Sequence, residues 1–185
     1  MTPGFRVRRL VRDDASAYRA LRLRGLAEHP DAFTSDAEEE SAKPLAWTER
    51  RIAPKPDAPH DVVLGAFADG GALVGVVGLD VDPRRKVRHV GHVFGMYVPL
   101  EARGAGVGQA LLAALIACAR GVPGLDRLKL TVTDGNAAAR TLYERAGFVA
   151  WGTERDAIRV DGVPCAKVHM TMRIESDTSS AGEAR

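Results

Sequence analysis

The sequence predicts an α/β (α+β) fold, a single domain in which a mixed, mostly antiparallel sheet is flanked by helices. Three observations predict it. Pairs of apolar runs are separated by tight-turn residues, at Asp69-Gly70-Gly71 and again at Asp161-Gly162, and each marks a hairpin. A short β-branched and aromatic run, His92 to Val98, leads through Pro99 and a glycine-rich loop directly into an apolar helix. A further alternating run, Asp126 to Thr133, follows that helix, which places it parallel beside the earlier strand through a right-handed crossover.

The composition fits one such domain. The chain has 185 residues, 45% of them hydrophobic and 27% charged, enough for one core in a globular protein. The domain is expected to span residues 1–174, and the small, polar stretch 175–185 is expected to be disordered. A net charge of +2 gives no reason to expect a nucleic-acid partner. No apolar run is long enough to span a membrane, and Met1 to Arg6 lacks the apolar core of a signal peptide, so a cytoplasmic location is expected. Two cysteines, Cys118 and Cys165, and five scattered histidines give neither a disulfide framework nor a metal cluster, and no metal is expected.

Taken in order, Phe5 to Val11 alternates as a first strand, and Asp13 or Asp14 can cap the helix that follows. Tyr18, Leu21, Gly25 and Leu26 recur through that helix, and His29-Pro30 ends it. Ser35 or Asp36 can cap a second, acidic helix beginning Glu38-Glu39-Glu40, which reads either as a solvated helix start or as a lip that attracts an amine. Pro44 to Ile52 forms a further turn or two. After a proline-rich loop, Asp61 to Ala68 and Ala72 to Val81 form the first hairpin, and Pro83 to Lys86 turns the chain back into the central strand. In the helix after the glycine loop, Val107, Leu111, Ala114, Leu115 and Cys118 recur at helical spacing, widened by Leu112, Ile116 and Ala119, and Gly121 and Pro123 stop it. Asn136 caps the helix from Ala137 to Ala146, and Gly147 terminates it. Phe148 starts another strand, and the closing hairpin alternates Val168, Met170, Met172 and Ile174 with polar residues.

The glycine loop carries the chemistry. The first N–H groups of a helix have no internal partner and the helix dipole adds partial positive charge there. Glycines at 104, 106 and 108 keep side chains off that backbone, and Arg103 adds a cation, so the loop suits a phosphate or pyrophosphate. A P-loop would need Lys and then Ser or Thr after its last glycine, where Gln109 and Ala110 stand. A dinucleotide fingerprint counted from Gly104 fails at Gln109, although Asp134 closes the next strand where a ribose-binding acid would sit. The spacing that fits is Arg103-x-x-Gly106-x-Gly108.

That spacing resembles the acyl-CoA pyrophosphate loop of the GNAT superfamily of N-acetyltransferases. A second stretch supports the resemblance: Asn136, then a helix, then Tyr143, then Gly147-Phe148 is similar to the family's later motif. His29-Pro30-Asp31-Ala32-Phe33 is similar to a segment of many bacterial members, and the element order matches over about Phe5 to Ile174. The resemblance implies a GNAT-like domain with a splayed parallel strand pair, ending at Val98 and Thr133, that forms the CoA cleft. It implies acetyl-CoA as co-substrate, held by the backbone of Met96, Tyr97 and Val98, by Arg103, Gly104, Ala105, Gly106, Val107, Gly108 and Gln109 at the pyrophosphate, and by Asn136 along the arm, with Tyr143 facing the sulfur.

The function so implied is an acetyl-CoA-dependent N-acetyltransferase acting on a primary amine of a small molecule or peptide. A non-catalytic acyl-CoA sensor and a dinucleotide-binding oxidoreductase are the alternatives. An amine attacks only when neutral, so a base is required. His92 stands where many members carry a glutamate, and an imidazole can take a proton near neutral pH; the alternatives are a strand histidine without a chemical role, or a relay from Glu38, Glu39 and Glu40 through water. Dimerisation is common in the family, and the residues leave a homodimer open. They do not name the acceptor.

Overall fold

In the computed structural model, which describes residues 4–175, the chain forms seven strands and five helices. The strands are β1 (Phe5–Arg9), β2 (Val62–Ala68), β3 (Leu73–Val81), β4 (Val90–Tyr97), β5 (Arg127–Thr133), β6 (Val149–Val160) and β7 (Val163–Arg173). The helices are α1 (Ala15–Glu28), α2 (Ala37–Ala42), α3 (Leu45–Ile52), α4 (Val107–Arg120) and α5 (Ala137–Arg145). The stretch expected to be disordered lies, from residue 176 on, outside the described residues. No helix among those residues is long and apolar enough to cross a membrane.

All seven strands join one sheet in the order β1-β2-β3-β4-β5-β7-β6. Every neighbouring pair is antiparallel except β4 and β5. The two hairpins form at the expected turns, with Gly71 at φ 82° and Gly162 at φ 79° supplying the left-handed backbone that tight turns need.

β2 and β3 are buried on both faces, which explains why they read as nearly continuous apolar runs. On β2, Val62, Leu64 and Ala66 join a core under α4 that includes Leu111, Leu112 and Leu115. Val63 and Phe67 point the other way, into a second core with Tyr18 and Leu21 of α1 and Ile52 of α3. Two departures from expectation appear. The buried face of α4 runs through Val107, Leu111, Leu112, Leu115, Ile116 and Ala119, and Cys118, expected on that face, is exposed at its margin in the last turn. Asp14 stands at the N-cap of α1 but makes no capping bond. Its carboxylate accepts instead from the backbone N–H of Val11 at 2.8 Å and from both terminal nitrogens of Arg8, at 2.7 and 2.8 Å, because a short 3₁₀ turn, Arg12–Asp14, precedes the helix and turns the side chain back.

Leu115 is fully buried between helix and sheet. Truncation there leaves a cavity that the packed layers cannot close, so Leu115→Ala is expected to lower stability by about 2–5 kcal/mol in denaturant unfolding. A loss below about 1 kcal/mol would show that α4 is not anchored as described.

Candidate active site

The site begins where two parallel strands stop pairing. β4 and β5 are matched only at Val90↔Arg127, Gly91↔Leu128 and His92↔Lys129. Beyond His92 the backbone groups that β4 turns toward β5 have no ladder partner on that side. A bulge on the other side of β4 accompanies the parting. Gly78 faces Phe94 and Val76 faces Tyr97, so β4 carries one more residue than β3 across that interval. Gly95 lies inside it at φ 64°, a left-handed angle that a glycine adopts without strain. A bulge bends its strand and sharpens its twist, which directs β4 away from β5. The bulge was not anticipated; the signal for it was a glycine in the middle of an apolar strand.

The gap opens into a cleft of about 840 Å³ that runs past Met96, Tyr97, Val98 and Asn136 to the start of α4. Gly106 is the N-cap of α4 at φ 82°, and no side chain caps the helix. The N–H groups of its first turn therefore have no intrahelical acceptor and no capping one. Arg103, Gly104, Gly106, Val107, Gly108 and Gln109 all line the cleft; Ala105 does not. The three glycines serve two purposes. Gly104 and Gly106 hold left-handed backbone, whereas a Cβ on Gly108 would meet Leu142 Cδ2 at 3.3 Å, so Gly108 lets α4 approach α5 closely.

The cation at the mouth is held in place. Arg103 Nε donates to the carbonyl of Val98 at 2.9 Å, and its Nη2 lies 3.1 Å from His29 Nε2. The hydroxyl of Tyr97 donates to Glu28 at 2.6 Å, and Glu28 also accepts from Arg24 at 2.7 Å, which in turn donates to Glu101 at 2.9 Å. This network ties the end of α1 to the turn that leads into the glycine loop. Burial, and then the bond to Glu28, push the Tyr97 phenol up to about 12.

A second chamber of about 490 Å³ adjoins the cleft and shares Phe33, Met96, Asn136 and Ala139 with it. His92 and Tyr143 both line this chamber, so the two residues singled out for chemistry are brought together. His92 Nδ1 is 3.8 Å from Asp80 Oδ2, its cross-strand neighbour, beyond hydrogen-bond range. Tyr143 is buried and packs edge-on against Phe148, with ring centroids 6.0 Å apart. Burial pushes its phenol up to about 12. Asn136 caps α5, its Oδ1 accepting from the N–H of Ala139 at 3.1 Å, and stands at the junction of the two spaces. Glu38, Glu39 and Glu40 line neither space: Asp36 caps their helix, and Glu40 pairs with Lys43 at 2.9 Å.

Sequence reasoning missed the basic lining of the chamber. Arg22 lies on the buried face of α1 with Tyr18, Leu21 and Gly25, and a helical projection would have shown it there. Lys167 is one of the polar residues that alternate through β7 and reads as solvent-facing, yet the loop around Asp31 covers it. Its Nζ donates to the carbonyl of Asp31 at 2.7 Å and to Thr133 Oγ1 at 3.0 Å.

The chain is similar to known proteins. A model of the acetyltransferase (GNAT) family matches residues 24–148. The mycothiol acetyltransferase of Salinispora arenicola (strain CNS-205) is 34% identical over 141 residues, 75% of this chain and 42% of that protein. The chain thus spans less than half the length of that relative. The L-amino acid N-acetyltransferase AaaT of Escherichia coli (strain K12) is 30% identical over 131 residues, 71% of this chain and 77% of that protein. Among solved structures, a GNAT-family acetyltransferase from Streptococcus pneumoniae superposes with a TM-score of 0.76 at 26% identity, over 92% of this chain and 99% of that one. A GNAT superfamily phosphinothricin acetyltransferase from Sinorhizobium meliloti, in complex with AcCoA, shares the fold with a TM-score of 0.80 at 18% identity, over 96% of this chain and 92% of that one.

The burial of Tyr143 has a measurable consequence. Its pKa rises from 10.0 to about 12, so the folded state holds the phenol proton more tightly than the unfolded state does. The stability linked to it is complete below pH 10.0 and is lost as pH rises toward about 12. In Tyr143→Phe the decline of the urea midpoint across that window is expected to be shallower than in the wild type. Equal declines would mean that the phenol is not buried.

Proposed function

The chain belongs to the GNAT acetyltransferase family, and from that premise we propose that it moves the acetyl group of acetyl-CoA to a primary amine by direct attack. The observation that carries this reading is the junction of the two spaces. A long cleft that ends on the bare start of α4 opens, at Met96 and Asn136, into a separate chamber holding His92 and Tyr143.

The residues suit a thioester attached to a nucleotide. The first-turn N–H groups of α4, with Arg103 beside them, take the pyrophosphate. The unladdered backbone of β4 at Met96 and Val98 bonds the pantetheine arm, and Asn136 holds its far end. The acceptor amine enters from the chamber. A lysine-type amine titrates near ~10.4 and an α-amine near ~7.7–8.0, so a proton must leave before attack. His92 takes it. The nitrogen lone pair then bonds to the thioester carbon, and a backbone donor at the Gly95 bulge stabilises the oxyanion. Collapse breaks the carbon–sulfur bond, and the extra proton on the nitrogen passes to the departing thiolate, leaving the amide and the free thiol. A thiol titrates near ~8.5, and the phenol of Tyr143 is held at about 12, so Tyr143 donates a hydrogen bond to the departing sulfur rather than surrendering its proton. The name of the Escherichia coli relative, an L-amino acid N-acetyltransferase, supports a nitrogen acceptor.

Three measurements test this. Acetyl-CoA is expected to bind, and thiol release is expected with at least one member of a panel of primary amines; binding without release from any amine would favour a sensor over an enzyme. Gly106→Asp places an acid on the bare helix start and is expected to abolish acetyl-CoA affinity, and retained affinity would remove α4 from the site. Tyr143→Phe is expected to lower turnover by roughly ten- to a thousandfold while leaving acetyl-CoA affinity in place. Unchanged turnover in that variant would take Tyr143 out of the chemistry.

A further inference from the structure

The acceptor chamber carries more positive charge than its own carboxylates answer. Its two carboxylates stand apart from the arginines: Asp61 lies 3.1 Å from Lys55, and Asp80 faces His92 at 3.8 Å. Lys167 rests on a carbonyl and a hydroxyl. Arg22 and Arg51 also line the chamber, and among the described residues neither forms a salt bridge.

Arg22 is the sharper case. It is only 8% exposed, and its Nε and Nη1, both closed to solvent, have no hydrogen-bond partner. Its guanidinium carbon lies over the ring of Phe33, 4.5 Å from the centroid. Arg51 lies over the rings of Phe94, at 5.1 Å, and Trp47, at 5.3 Å, and among the described residues its one side-chain hydrogen bond is a long one to the hydroxyl of Tyr18, at 3.3 Å. Burial above all, with the neighbouring charge of Arg51, holds the Arg22 pKa below its ordinary value against the opposing influence of Tyr18 and Glu40; Glu40 is already paired with Lys43. Leaving a buried charged group without hydrogen bonds is costly, and placing a second cation beside it adds to that cost. An anionic oxygen group in the chamber offsets the charge of both arginines, and a planar guanidinium matches two oxygens of a carboxylate or phosphate.

We infer that the acceptor is a small amine that also carries an anionic oxygen group, a carboxylate or a phosphate, held by Arg22 and Arg51 while its nitrogen faces His92. This rests on the acetyl-transfer reading and names the acceptor class for the same site. A chamber of about 490 Å³ suits a small molecule.

Matched amine pairs that differ only in the charge test it: an α-amino acid against its carboxamide, and phosphoethanolamine against ethanolamine. Thiol release from acetyl-CoA gives kcat/KM for each, and calorimetric titration into the complex with CoA gives affinity without turnover. The anionic member of at least one pair is expected to be preferred by tenfold or more, and which pair shows it separates carboxylate from phosphate. Arg22→Gln and Arg51→Gln are each expected to reduce the preference severalfold through KM for the amine, with KM for acetyl-CoA unchanged. If Arg22→Gln does not fold, Arg51→Gln carries the test. Acetylation of neutral members as readily as anionic ones by the wild type would overturn the inference and leave the acetyl-transfer reading standing. Failure of acetyl-CoA to bind at all would overturn both.

Discussion

Gly95 holds a backbone angle that lets β4 take one residue more than β3, and the consequences reach every part of the site. The extra residue turns β4 off its parallel neighbour after His92. A parallel pair that stayed matched to its ends would fill the space that becomes the cleft, and its amide groups would be spent on the ladder. Because the pair parts, one side of β4 keeps unclaimed hydrogen-bonding groups, and the start of α4 lies at the end of the resulting groove. The bulge, the parting and the bare helix start are therefore one arrangement. Loss of the bulge would remove the groove without removing any side chain that lines it.

The surrounding structure serves to hold that arrangement open. The apolar faces of the sheet are covered by α4 and α5 on one side and by α1 and α3 on the other, so of the two strands that part β4 is packed on both faces and β5 on the α4 side. Polar links then position the rim. Arg24 and Glu28 join α1 to Tyr97 and to Glu101 beside the glycine loop, and Arg103 is folded onto Val98 rather than extended into solvent. An exposed pair in such a network contributes little to stability, so its value here lies in geometry.

Much of this was legible in the residues. The two hairpins, the strand–loop–helix unit and the helix from Asn136 are written in short-range signals: turn dipeptides, period-two alternation and a capping side chain. The Arg103 to Gly108 spacing and the Asn136 to Phe148 stretch resembled those of the family to which the chain proved to belong. What escaped was set by tertiary contacts. The polar residue Lys167 looks solvent-facing until a loop 136 residues earlier is known to cover it. Arg22 sits on the buried face of α1 because its neighbours Tyr18 and Leu21 pull that face inward, and a charged residue on an apolar face reads as noise when the helix is taken alone. Asp14 looks like a cap because local spacing cannot show that Arg8 and the amide of Val11 claim it first.

The bond from Lys167 to the carbonyl of Asp31 joins the last hairpin of the chain to a loop near its beginning. Such a contact closes a long stretch of polymer, and its entropic cost is recovered only after the intervening strands are paired. During synthesis the lining of the chamber that holds His92 and Tyr143 must therefore wait for β7 to leave the ribosome, although α1 and the first hairpin have emerged long before.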